Sequence, residues 1–375
     1  MHISKKNCTF VRYFLNTNDK IQTKQKIYTD KIPVSDGFGQ STRLSGFALK
    51  RKKINQLNMS SKSNDLGRAY EFACLIELEE AIKQYRPVNV LHNSSYEAAK
   101  YHYEMLSPTQ QKTFHTSAKA MIPSIFECEP MMIEETNDSL ELFIQKDEEG
   151  KKGDVRDIII VRSKMQWEIG LSIKHNHFAV KHSRLSPTID FANKWFGYDC
   201  SKEYWDAVMP VFDYLEKCKS SNMAFYELPD KEHDVYQPIV TAFIEEVKKQ
   251  STKHGDVPRK MVEYLLSKYD FYKIISVDAQ RFTQIQAYNT HGKLNQASAK
   301  QKPTIIVPKA SLPTRIISID FKPGSTHTAE LYMNNGWTFS FRIHNAETMV
   351  APTLKFDVQI EGMPTDILTI NCIWK

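Results

Sequence analysis

Asp154 and Asp157 stand just before the apolar run Ile158-Ile159-Ile160-Val161. Lys174 closes the next such segment, Trp167-Glu168-Ile169-Gly170-Leu171-Ser172-Ile173-Lys174. Carboxylates at the mouth of one strand and a lysine at the end of its neighbour are the parts that phosphodiester hydrolysis needs. The carboxylates hold a divalent cation, and an ammonium stands near the attacking water or the scissile phosphate. With Lys164-Met165 at the centre of the turn, the two segments make an antiparallel hairpin. Asp157 then lies opposite Ser172, and Lys174 is two residues on along the same face. Paired Cβ atoms are about 5 Å apart and diagonal ones about 7–8 Å, so carboxylate, hydroxyl and ammonium share one site. A slip of one residue would disperse them. Glu168 shares that face but lies four residues from Ser172, about 13 Å along a strand, too far to share a metal with Asp157. It reads as a solvated strand residue or a remote phosphate-side group. Asp154 falls near His175, beyond the strand, and joins the candidates as a loop residue.

A site for nucleic acid also needs a surface to grip it. His175-Asn176-His177 is a dense polar run directly after Lys174, and Lys181, His182, Ser183 and Arg184 follow as phosphate contacts. The three histidines His175, His177 and His182 do not have zinc spacing. Residues 279–296 hold Gln280, Arg281, Gln284, Gln286, Asn289, Asn295 and Gln296, side chains able to read base edges. Arg suits guanine and Gln or Asn suits adenine, so G·C reading leans on Arg281, Lys293 or Lys300. Residues 251–342 carry 13 basic and 6 acidic residues, a DNA-facing balance or a solvated charged face.

The elements that must position these groups follow from periodicity. Helical patterns cover 65–85, 95–106, a stretch between Pro108 and Met121, 202–219, 237–250 and 257–268. Leu140–Gln145, Asp157–Val161, Trp167–Lys174 and Phe271–Val277 read as strands, with Asp147–Gly153 as a turn. From about 302 the chain turns β-rich, with strands expected at Thr304–Val307, Arg315–Phe321, Thr328–Met333, Thr338–Ile343 and Leu354–Ile360. Asn335-Gly336 is a hairpin turn between two of them.

The chain has 375 residues and a net charge of +6, but the charge is unevenly placed. Residues 1–58 hold 12 Lys plus Arg against 3 Asp, and the remaining residues 38 basic against 41 acidic. The first 58 residues therefore read as a basic extension: a flexible arm on nucleic acid, a disordered segment, or sequence upstream of a start at Met59. Residues 59–300 read as a catalytic core with helical insertions, and 301–375 as a β-rich DNA-recognition region packed on it. Ordinary globular composition excludes bulk disorder. Six cysteines without a CxxC pair point to a reducing interior rather than a zinc cage or disulfide scaffold. No apolar run is long enough for a membrane helix, and no secretory segment is visible, so a cytoplasmic protein is expected.

Asp157 with Ser172-Ile173-Lys174 resembles the PD-(D/E)XK nuclease motif. More narrowly, Gly153–Ser186, Trp195-Phe196-Gly197, Asn335-Gly336-Trp337 and Phe341-Arg342-Ile343-His344-Asn345-Ala346 resemble the HaeIII-type restriction endonuclease family. The likeness covers about residues 62–375. It implies an α/β (α+β) fold with a PD-(D/E)XK restriction-endonuclease-like core, a mixed sheet flanked by helices. It implies Mg²⁺-dependent cleavage of double-stranded DNA at the palindrome GGCC, by a homodimer or by sequential nicking. The superfamily places Asp or Glu where this chain has Ser172. It often supplies a second carboxylate from an N-terminal helix in a Gly-x-x-aromatic-Glu pattern. Gly67-Arg68-Ala69-Tyr70-Glu71 matches, so Glu71 and Asp157 are expected as metal ligands, Lys174 as the catalytic ammonium, and Ser172 as holder of a metal-bound water. Arg342 joins the expected DNA contacts. The departure at Ser172 leaves two other readings open: a DNA-binding protein with a degenerate nuclease site, and a structure-specific repair nuclease.

Overall fold

The hairpin that carries Asp157 and Lys174 forms in the register that the sequence predicts. In the computed structural model, which describes residues 64–375 apart from 152 and 179, β3 (Ile158–Arg162) pairs antiparallel with β4 (Trp167–His175). Ile158 faces Leu171 and Arg162 faces Trp167, and the Asp157 N–H extends the ladder to the Leu171 carbonyl at 2.7 Å. The turn closes through Gln166 in the left-handed region, at φ 51°. The basic extension 1–58 and the start at Met59 lie outside the described residues.

Both strands are buried on both faces, so the hairpin sits inside a larger sheet. That sheet runs β1 (Val88–Val90), β2 (Leu140–Ile144), β3, β4, β6 (Phe271–Val277), β7 (Phe282–Tyr288) and β12 (Thr369–Ile373). The β1–β2 and β4–β6 pairs are parallel and the others antiparallel, which makes it a mixed sheet. On one face pack the helix α1 (64–82) and α3 (Pro108–Cys128), with α2 (Ser94–Glu104) beside them. Tyr70, Leu75, Phe114, Met121 and Ile125 meet Leu142, Ile160, Ile169, Ile274 and Ile285 in a single apolar cluster. Ser107 and Gln110 form a capping box that starts α3, and Asn93 caps α2.

A second, all-antiparallel sheet has the order β5 (Lys181–Leu185), β11 (Leu354–Gly362), β10 (Thr338–Asn345), β9 (Thr328–Met333) and β8 (Ile316–Phe321). Its inner face packs on α5 (Phe191–Phe196), α6 (Lys202–Ser220), α7 (Gln237–Lys253) and α8 (Val257–Leu266), around Trp195, Phe243, Phe341 and Phe356. Asn335 (φ 61°) and Gly336 (φ 86°) make the β9–β10 turn, as the Asn-Gly pair predicts.

Residues 66–375 form one compact unit. Both sheets draw strands from either side of residue 300: β5 follows β4 into the second sheet, and β12 brings the end of the chain back to the first. Three local expectations change. Thr304–Val307 is not a strand: the Thr304 and Ile305 N–H groups donate to the Glu127 carbonyl, while Ile305 and Val307 bury in the apolar cluster between the large sheet and its helices. The third helix runs through Pro123 to Cys128, because Ser124, Ile125 and Cys128 bury beyond it and outweigh the one helical bond that proline forfeits. Asp147–Lys151 is a short helix, α4, rather than a turn.

Candidate active site

Asp157 Oδ2 is the hub of the site. It accepts from the Ile173 N–H at 2.6 Å, from Lys174 Nζ at 2.9 Å and from Ser172 Oγ at 3.3 Å. Among the described residues no hydrogen bond falls on Oδ1, so half of this carboxylate remains for another partner. The Asp157 and Lys174 side chains are each about one-quarter exposed, at 24% and 28%, which opens the pair to a ligand. Burial pulls the Lys174 pKa down, but the charge and hydrogen bond of Asp157 outweigh it and hold the ammonium above its ordinary value.

Glu71 reaches the same site from α1. The helix is anchored by Tyr70, fully buried, whose hydroxyl shares a 2.7 Å hydrogen bond with Ser117 Oγ and whose ring packs on Phe114. Arg68 ties the same turn to Asp147 at 2.5 Å. Glu71 is left half-buried within the field of Asp157 and Lys174. Burial, and then the Asp157 charge, push its pKa up to about 8. Two carboxylates that repel each other, with Oδ1 of one open, suit a hard divalent cation. No three His, Cys, Asp or Glu gather into a cage among the described residues. Mg²⁺ needs no such cage, since it binds through one or two carboxylates, waters and substrate phosphate oxygens. The residues present therefore fit such an ion.

Other expected site residues are placed differently. Asp154 is 5% exposed, and both its oxygens are taken by Arg156 at 2.8 Å, so the structure does not bring it to the Asp157 cluster. Arg156 also donates to Glu168 at 2.6 Å and lies over the Tyr269 ring at 4.1 Å. His175 Nε2 pairs with Asp278 Oδ2 at 2.7 Å, and Asn176 Oδ1 accepts from the Asp278 N–H at 2.9 Å. These two residues fasten the end of β4 to the β6–β7 turn. His177 is exposed, with its ring 6.0 Å from that of His182.

On the outer face of the second sheet, His182, Asp357 and Arg342 stand in one row, and Arg184, Lys355 and His344 in the next. Arg184 and Arg342 are 56% and 57% exposed. Lys181 turns the other way, its Nζ donating to the Tyr264 carbonyl at 2.6 Å above the Tyr264 ring. Burial, and then Lys194, push its pKa down to about 8. Arg281 caps the β6–β7 turn in the left-handed region and lies 5.6 Å from the Trp374 ring centre. Lys293 is exposed. Asn289, expected among the base readers, is 3% exposed: Nδ2 donates to the Val307 and Pro308 carbonyls and Oδ1 accepts from the Leu294 N–H. It fixes a loop and faces no partner.

Sequence reasoning missed Lys273. It sits on β6 in register with Ser172, is 3% exposed, and donates from Nζ to the Phe178 carbonyl at 2.6 Å. Burial, and then Lys174, push its pKa down to about 7. The available signal was a lysine inside the otherwise apolar strand Phe271–Val277, where an amine must have a purpose or a partner. Arg156 was also missed, and nothing in its spacing marks it.

Comparison with known proteins gives the family. The model of the HaeIII restriction endonuclease family matches residues 67–364. Type II restriction enzyme HaeIII from Haemophilus aegyptius is 49% identical over 318 residues, which is 84% of this chain and 100% of that protein. No solved structure matches the chain.

Proposed function

The chain belongs to the HaeIII restriction endonuclease family, a family of type II site-specific deoxyribonucleases, and from that premise we propose that Glu71, Asp157 and Lys174 form its active centre. The substrate is double-stranded DNA. We propose GGCC as the site and Mg²⁺ as the cation, held by Glu71 and by Asp157 Oδ1. The observation that carries the reading is the convergence on Asp157 Oδ2 of the Ile173 N–H, Lys174 Nζ and Ser172 Oγ, with Glu71 beside them.

Type II enzymes of this kind use a divalent metal, which supplies positive charge to the scissile phosphate and the attacking water. The chain's own residues do the rest. Asp157 fixes the Lys174 ammonium, which orients the nucleophile or neutralises charge developing on the phosphate. Ile173 N–H and Ser172 Oγ hold the Asp157 carboxylate in one rotamer, so that Oδ1 keeps its direction. The water oxygen bonds to phosphorus as the bond to the 3′ oxygen breaks, which leaves 5′-phosphate and 3′-hydroxyl ends. A palindromic site calls for a homodimer or for two successive nicks. Among the described residues no helix is long and apolar enough to cross a membrane, and the cysteines are unpaired, in keeping with a cytoplasmic enzyme that meets DNA there.

Asp157→Ala and Lys174→Ala test the assignment. Each is expected to lower cleavage by about a hundredfold or more while duplex binding stays largely intact. Cleavage retained in either variant removes that residue from the active centre. Binding retained without cleavage by the unaltered protein, with Mg²⁺ at low salt, would instead favour the non-cleaving reading that Ser172 raises.

A further inference from the structure

The row that contains Lys174 continues across the large sheet as Ile275, Gln284 and Asn371, each paired in register with the one before. Residues so paired project from the same face. At about 4.8 Å per strand, Gln284 lies about 10 Å and Asn371 about 14 Å from the Lys174 position. That is comparable to the length of a four-base-pair site, whose bases rise about 3.4 Å each.

Two amides of this row and one of the next are oriented by a chain of hydrogen bonds with one direction. Tyr288 Oη, 1% exposed, donates to Gln286 Oε1 at 2.9 Å. Gln286 Nε2 donates to Gln284 Oε1 at 2.8 Å, and Gln284 Nε2 donates to Asn371 Oδ1 at 3.0 Å. Exposure rises along the chain, from buried Tyr288 and Gln286 through half-buried Gln284 to exposed Asn371. Each amide oxygen is turned back toward the donor before it in the chain, so the end that Gln284 and Asn371 present beyond it is the amine, with one N–H of Gln284 Nε2 and both of Asn371 Nδ2 left to donate. An adenine read by an amide needs both a donor and an acceptor, because its major-groove edge carries N7 and an amino group. Guanine carries two acceptors, N7 and O6, and takes donors alone.

We propose that Gln284 and Asn371 read a guanine edge in the major groove, held as donors by the buried chain through Gln286 to Tyr288. The inference rests on the reading of Asp157 and Lys174 as the cleavage site. It also reverses the ordinary expectation that Gln and Asn select adenine, because their oxygens are turned back toward the chain.

The test is a cycle between protein and DNA, read by fluorescence anisotropy with Ca²⁺ in place of Mg²⁺. The probes are duplexes with one GGCC, either unmodified or with 7-deazaguanine, which lacks the N7 acceptor, at each guanine in turn. The unaltered protein should lose about tenfold in affinity at one of the guanines. Asn371→Ala or Gln284→Ala should lose that factor already on the unmodified duplex and lose little more on the deaza duplex. Asn371 is exposed, so its variant should unfold at the parent temperature. Equal further loss in parent and both variants overturns the proposal, and so does indifference of the parent to every deaza position. Failure of the parent to prefer GGCC over a scrambled duplex indicts the assigned function instead, and Asp157→Ala run alongside shows whether binding is independent of the cleavage centre.

Discussion

Glu71 carries the site's response to pH. Its carboxyl is pushed up to about 8 by burial and by Asp157, so without metal the folded state holds its proton more tightly than the unfolded state does. For a raised carboxyl, the contribution to stability is full below the unfolded value near 4.5 and is lost as pH rises through about 8. The metal-free protein should therefore lose melting temperature between pH 5 and 8 more steeply than Glu71→Gln does. Divalent metal should flatten the slope of the parent alone. Equal slopes in parent and variant would show that Glu71 is not the repelled partner of Asp157. Ser172 is a smaller matter. Its hydroxyl gives the Asp157 carboxylate one hydrogen bond of 3.3 Å, long for O–H···O, which puts it at the low end of the about 1.5–3 kcal/mol of bonds to charged groups. Ser172→Ala should slow cleavage by no more than about tenfold, and a far larger loss would mean that the hydroxyl acts on water or metal directly.

At the scale of elements, the hairpin depends on a close approach that only glycine permits. A Cβ at Gly170 would stand 2.1 Å from Arg156 Cδ. Arg156 cannot easily yield, being held by Asp154, by Glu168 and by the Tyr269 ring. Gly170→Ala should cost about 1–3 kcal/mol, measured by thermal or denaturant unfolding, and an unchanged midpoint would show that Arg156 is free to move. The β3–β4 pairing was readable in advance because two apolar runs flank a short polar turn, which fixes one register. β7 was hidden because Gln284 and Gln286, on the face turned away from α1 and α3, are amides and made it look like a binding loop. β5 and β12 pair with strands far away in sequence, and nothing local records such partners. The Asp154–Arg156 pair was unreadable for the same reason as buried Asn289: only the fold reveals that a polar side chain is already spoken for.

For the whole molecule, the surface that meets DNA must be local, since the chain beyond residue 58 carries 38 basic against 41 acidic residues. The outer face of the second sheet is the candidate we propose for that patch. Arg184, Lys355 and Arg342 lie in adjacent rows, and His182 and His177 lead from it toward the hairpin. Arg184→Ala and Arg342→Ala should each lower the slope of log affinity against log salt by about 0.9 and weaken cognate and scrambled duplexes alike. An unchanged slope would place the duplex elsewhere. What the two sheets jointly build is a nuclease that cuts one sequence. The most direct measurement is digestion of a mixed DNA substrate with Mg²⁺ followed by sequencing of every new end. The expected result is 5′-phosphate ends that all fall within GGCC, with none from Lys174→Ala under the same conditions. Ends scattered over unrelated sequences, or no ends at all, would contradict it.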